Sequence, residues 1–142
     1  MILVDANLLL YAYNKSAEDH ERAKAWIEEV FSGHEPVALS WTVILAFLRI
    51  STNPRAFPRP LSRTEAFSIV KGWIERPQAV VIGPGEGHFE ILSRMATAGR
   101  ASGPLLSDAH LAALSIEHGA TLCSSDRDFA RFPNLKLQNP LE

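Results

Sequence analysis

Four aspartates stand where elements of this sequence begin or end. Asp5 directly follows the apolar run Ile2–Val4, and Asp108 lies just behind Ser107 at the opening of an apolar helical pattern. Asp126 and Asp128 follow the run Thr121–Ser124. Three separate segments thus carry carboxylates to element ends that can converge. Carboxylate oxygens are the hard donors Mg²⁺ takes, one or two at a time, completed by waters and phosphate oxygens. A cation held this way orients a water, offsets charge building on a phosphate and assists the leaving oxygen. Each acid taken alone also reads as a helix cap or a partner of a helix dipole. Asp5 is the least ordinary, because it interrupts a buried-type strand while Asn7 already supplies a turn residue.

The elements that must position these acids alternate between strand and helix. Met1–Val4 reads as a strand leading into an Asp5–Asn7 turn. Ala23, Trp26, Ile27, Val30 and Phe31 repeat at helical spacing until Gly33, and Val37–Leu39 is a brief strand or the entry to the next helix. Ser40 caps the apolar stretch Trp41–Ile50, which Pro54 ends. Ser62 and Glu65 form a capping box before the stripe Ala66, Ile69, Val70, Trp73 and Ile74. Ala79–Ile82 is a buried-strand candidate, and Phe89, Leu92, Met95 and Ala96 mark a helix ended by Gly99. Ser107 is the expected cap of a helix running to His118, with Gly119 just past its end. Thr121–Ser124 reads as a strand, Asp126–Phe132 as a helical turn and Leu135–Gln138 as an edge strand. This alternation predicts an α/β fold: a mostly parallel sheet flanked by helices, in one domain spanning residues 1–142. In such sheets sites form beyond the carboxyl ends of the strands, where Asp5 and Asp126 fall.

Composition closes off other classes. At 46% hydrophobic and 21% charged the chain is neither disordered nor fibrous. Lone Cys123 permits no internal disulfide, which points to a reducing, cytoplasmic setting; no apolar stretch approaches a membrane span and no signal peptide is expected. A net charge of −2 excludes a basic nucleic-acid coat but not a local strip. From Pro36 to Thr64 the only formal charges are Arg49, Arg55, Arg59 and Arg63, which suits either phosphate tracking or a solvated loop rim.

Five segments, in order along the chain, resemble the PIN-domain nucleases, specifically the VapC-type toxins of toxin–antitoxin pairs. They are Ile2–Asn7, Phe47–Arg49 with Thr52–Arg55, Ser107–Leu114, Ser124–Phe129 and Phe132–Leu135. The resemblance implies a PIN-like three-layer sandwich around a parallel sheet. It also implies Mg²⁺ or Mn²⁺ at an acidic centre, endoribonuclease activity, homodimers and inhibition by a cognate antitoxin. Carried over by position, Asp5, Asp108 and Asp126 would hold the metal, Asp128 would be the accessory acid and Asn7 a polar neighbour. Asn7, Arg49, Arg55 and Ser125 are the expected contacts to RNA. Ala46 departs from the pattern, since such proteins often carry a glutamate just before the aromatic-Leu-Arg step.

The remaining candidates read blandly. Trp26, Trp41 and Trp73 lie on or beside apolar stripes and are expected in the core. His20 and His88 are expected at the surface, and His110 as a solvated helix position. No His/Cys spacing supports zinc. Gly83–Gly87 lacks the Lys and Ser/Thr of a phosphate-binding loop and reads as a turn. The expectation is therefore a metal-dependent endoribonuclease toxin. A weakened PIN-fold module that binds RNA or antitoxin without efficient cleavage is the alternative. A phosphatase using Asp5 covalently is the weaker rival, because Asn7 stands where that chemistry wants a second acid.

Overall fold

A computed structural model describes residues 1–142. The chain runs β1 (Ile2–Val4), α1 (Ala6–Tyr13), α2 (His20–Ser32), β2 (Val37–Ser40), α3 (Trp41–Ser51), α4 (Arg63–Ile74), β3 (Ala79–Ile82), α5 (His88–Ala98), α6 (Leu105–Glu117), β4 (Thr121–Cys123) and β5 (Leu137–Gln138), with a 3₁₀ turn at Arg127–Arg131. All five strands are parallel, in the order β3-β2-β1-β4-β5. The chain thus steps outward from β1 to β3 and then returns past β1 to β4. With right-handed crossovers, that reversal puts α1–α4 on one face and α5–α6 on the other. The packing agrees: α1 lies against α2 and α3, α3 against α4, and α5 against α6. This is the three-layer α/β sandwich expected. No helix is long and apolar enough to cross a membrane.

One cluster of 30 buried hydrophobic residues fills the space between the layers. β1 and β2 are buried on both faces, as continuous apolar strands of a covered parallel sheet must be. Phe31, Phe47 and Tyr13 converge on Trp73, with the Phe47 and Trp73 ring centroids 4.7 Å apart. Local chemistry sets the helix starts. Ser40 Oγ accepts from the Val43 N–H, and Ser62 and Glu65 form the reciprocal capping box.

Four expectations are corrected. Ala6–Tyr13 is a helix rather than a turn leading onward, because Asp5 caps it through the Ala6 N–H. Helix α6 opens at Pro104–Leu105, not at Ser107: Gly103 turns the chain at φ 57°, and Pro104, at φ −59°, is already set for a helix. Strand β3 is an edge, so Val80 and Val81 are exposed rather than buried. Trp41 is 57% exposed at the first position of α3, where the buried face of the helix is Val43, Ile44 and Phe47.

Candidate acidic centre

The strand order reverses at β1, which makes the carboxyl edge between β1 and β4 the switch point where open α/β sheets place their ligands. Asp5 continues β1 beyond its last strand residue, its N–H donating to the Cys123 carbonyl of β4 at 3.0 Å. Its two carboxylate oxygens are both engaged. Oδ1 accepts from the Ala6 N–H at 2.8 Å, capping α1, and Oδ2 accepts from the Ser124 hydroxyl at 2.7 Å. Asp126 Oδ1 accepts from the Asp128 N–H at 2.9 Å and starts the 3₁₀ turn. Asp108 arrives from the other helical layer, in the first turn of α6, whose N-terminus points to the same edge.

Asp108, Asp126 and Asp128 present oxygens that all lie within 4.8 Å of one another. The tightest group therefore includes Asp128, which the sequence reading held as accessory, while Asp5 stands at its margin with both oxygens tied to internal donors. Arg131 approaches Asp128 at 3.8 Å and is the one cation paired with an acid of this group. Burial pushes the Asp5 carboxyl up; the bonds from Ser124 and Ala6 oppose this, and Asp126 adds repulsion. Asp108 is pushed up to about 6, first by burial and then by the charges of Asp126, Asp5 and Asp128. Four carboxylates thus share one electrostatic environment that favours either protons or a cation.

Ser124 is the hub that sequence reading underweighted. It is 2% exposed, and its hydroxyl donates to Asp5 while accepting from the Asp126 N–H at 3.0 Å and from Asn7 Nδ2 at 3.4 Å. The signal was present in the Ser-x-Asp spacing, since a serine hydroxyl commonly accepts the N–H two residues on. Asn7 Nδ2 also donates to Ser125 Oγ at 2.9 Å, so Asn7 and Ser125 are brought together beside the acids. Asn7 Oδ1 is buried with no hydrogen-bond partner. That orphaned oxygen and the all-oxygen donor set fit a hard divalent cation and its waters. Arg49 and Arg55 are not drawn into the cluster: Arg49 is exposed in the last turn of α3, Arg55 in the loop after it, and neither pairs with an acid. Ala46 is half-buried on α3, between exposed Leu45 and buried Phe47.

The histidines differ from expectation. His20 is buried, with Nδ1 2.8 Å from the Tyr11 carbonyl. His88 is also buried, its Nδ1 3.2 Å from Glu117 Oε1 and its Nε2 2.9 Å from His110 Nδ1. His110 therefore faces α5 rather than solvent or the acids. Their polar atoms find partners across elements, which one-dimensional spacing does not display.

The profile of the PIN domain family matches residues 2–135. The chain is 42% identical over 140 residues to "Ribonuclease VapC37" of Mycobacterium tuberculosis, covering 99% of this chain and 97% of that protein. It is 39% identical over 145 residues to "Ribonuclease VapC33" of the same species, covering 99% of each. Among solved structures, VapBC2 from Rickettsia felis bound to a promoter DNA fragment aligns with TM-score 0.71 and 21% identity over 98% of both chains. VapBC-1 from nontypeable Haemophilus influenzae aligns with TM-score 0.71 and 19% identity over the whole of both.

Proposed function

The chain belongs to the PIN-domain family, among its VapC-type members, and from that premise we propose that it is an endoribonuclease toxin working at the acidic centre. The observation that carries this reading is the convergence of Asp5, Asp108, Asp126 and Asp128 at the carboxyl edge of the sheet, around a buried Ser124. Asp5, Asp108 and Asp126 would hold Mg²⁺ or Mn²⁺, with Asp128 accessory. A cation bound there supplies positive charge to the scissile phosphate and an activated water for in-line attack.

The chain's own residues do the positioning. Ser124 fixes the Asp5 carboxylate and the Asp126 backbone in one geometry before substrate arrives. Asn7 holds Ser125 at the rim, where both offer polar groups to the RNA backbone. Arg49 and Arg55, free of acidic partners, offer contacts to flanking phosphates. Full-length identity to proteins named VapC ribonucleases supports RNA as substrate. The VapBC titles of the structural neighbours, one further described as "Toxin-antitoxin complex from Klebsiella pneumoniae", support a cognate antitoxin as partner. We take residues 1–142 as one such domain, assembling as a homodimer in the cytoplasm.

Incubation of the purified protein with structured and single-stranded RNA tests the reading. Cleavage is expected with Mg²⁺ or Mn²⁺, to stop with EDTA and to be lost in Asp5→Asn, whose amide lacks the charge that holds the cation. Cleavage persisting in EDTA removes the metal mechanism. RNA binding without cleavage under all conditions leaves the binding module instead.

A further inference from the structure

We propose that Arg131 is a catalytic residue, an anchored guanidinium at the rim of the acidic centre that grips a non-bridging oxygen of the scissile phosphate. The inference rests on the ribonuclease reading above and adds a donor that the chain itself carries to the charge supplied by the cation. Arg131 closes the 3₁₀ turn that Asp126 starts, so the segment bearing two of the acids also bears their cation.

Two hydrogen bonds fix the side chain. Nε donates to the Asp128 carbonyl at 3.2 Å, and Nη1 donates to the Gly99 carbonyl at 3.1 Å. Nη2 stands 3.8 Å from Asp128 Oδ1, close enough for attraction but beyond hydrogen-bond distance. Gly99, just past the end of α5, lets that helix approach the turn, since a Cβ there would sit 2.8 Å from the Phe132 ring. The close approach is what brings the Gly99 carbonyl within reach of Arg131. Among the arginines only Arg131 and Arg22, on α2, make hydrogen bonds through the guanidinium.

A guanidinium carries five N–H donors, and the two carbonyls take two of them. The rest, on Nη1 and Nη2, are free, and 31% of the side chain is exposed to receive an acceptor. The plain alternative is a surface ion pair, but at this length such a pair adds little to stability. The two carbonyl bonds instead hold a long side chain in place, which removes the entropy that a free arginine loses on gripping a ligand. The Arg131 charge is also felt at Asp108 on α6, where it opposes the upward push of burial and the other acids. Acids from two elements thus face this one cation.

Charge gives the free donors a use. Four carboxylates around one divalent cation leave the centre negative, so an incoming phosphodiester is repelled and gains further charge as water attacks. A guanidinium already fixed in place meets that charge without reorganising, and its planar fork suits phosphate oxygens.

The test compares wild type with Arg131→Ala, Arg131→Lys and Arg127→Ala. The readouts are single-turnover cleavage of an RNA that wild type cuts, anisotropy with the same RNA in EDTA, and calorimetric Mn²⁺ binding. Arg131→Ala is expected to slow cleavage by about 10²- to 10³-fold, the usual loss of one donor to a developing oxyanion, with RNA affinity little changed. It should bind Mn²⁺ at least as tightly as wild type, because a repelling charge is gone. Guanidinium at a sub-denaturing concentration should restore part of the rate, and urea at the same concentration should not. Arg131→Lys keeps the charge but not the fork and should recover only part of the loss, which decides the matter if Arg131→Ala melts far lower. Arg127→Ala removes an equal charge from the same turn, without a hydrogen-bonded guanidinium, and should leave the rate where it was. An unchanged rate in Arg131→Ala overturns the assignment while leaving the ribonuclease reading intact. An equal fall in Arg127→Ala reduces the effect to general charge and overturns it as well. Cleavage lost together with Mn²⁺ binding, and not restored by guanidinium, makes Arg131 a clamp of the turn and also overturns it. A wild type that cleaves no RNA removes the parent reading and this residue's role together.

Discussion

At Asp108 the carboxyl is pushed up to about 6, chiefly because burial strips water from the ionised form and then because Asp126, Asp5 and Asp128 face it. The folded protein therefore holds that proton more firmly than the unfolded chain, where an aspartate titrates near 3.9. The protonated form stabilises the fold below about pH 4, and that stability is lost as pH climbs through about 6. Metal-free protein should accordingly melt progressively lower between pH 4 and pH 7, and Asp108→Asn should flatten that slope in thermal scans. Asp126→Asn asks the same question of a neighbour. Asparagine keeps the oxygen that caps the Asp128 N–H but removes the charge that repels Asp108 and Asp5. In EDTA at pH 7 the variant should gain on the order of 1 kcal/mol, or roughly 3–5 °C. Added Mg²⁺ should then raise the melting temperature of wild type more than that of the variant. A variant melting lower in EDTA, with an equal response to Mg²⁺, would leave Asp126 as a cap alone. The acids were legible as a group because three separate segments carry them to element ends at the carboxyl edge of a parallel sheet. Trp41 and His88 were not, because burial and partners depend on which distant element lies alongside.

Helix ends are where the sequence was most and least readable. The Ser62-x-x-Glu65 spacing encodes two reciprocal bonds within four residues, so α4 begins where the pattern says it does. Ser62→Ala should cost about 1 kcal/mol, lowering the melting temperature by roughly 3–5 °C while leaving RNA cleavage and the Mg²⁺ response unchanged. A larger loss, or a change in cleavage, would tie α4 to the site more closely than its position suggests. Helix α1 hid because Leu8, Leu9, Leu10 and Tyr11 are all apolar, which removes the polar contrast that a helical period needs. Its leucines pack inward where α1 meets both α2 and α3. The start of α6 was misplaced by three residues because Ser107 is a good cap by type, whereas Gly103 and Pro104 settle the backbone earlier. Asp108 still lies in the first turn, so the misplaced boundary did not move the acid away from the site.

For the molecule as a whole, strand and helix alternation was enough to predict a parallel sheet, but not its order. That order depends on the reversal after β3, which makes the β1/β4 edge the switch point, and no local pattern records it. Charge behaves likewise. The chain carries a net −2, and its acidic centre repels a polyanion until a cation is bound. RNA affinity must then come from a local track, for which Arg49, Arg55, Arg59 and Arg63 are the unpaired, acid-free candidates. Each phosphate neutralised on a single strand contributes about −0.7 to the slope of log affinity against log salt. Two to four such contacts give a slope between about −1.4 and −2.8, far shallower than that of a protein coated in basic residues. The slope is measured at fixed divalent cation by anisotropy over a salt series. Arg49→Ala and Arg55→Ala should each flatten it by about 0.7 and weaken all RNA sequences alike, because phosphate contacts carry no base information. A slope indifferent to both arginines would place the backbone contacts elsewhere on the surface and leave the strip a solvated rim.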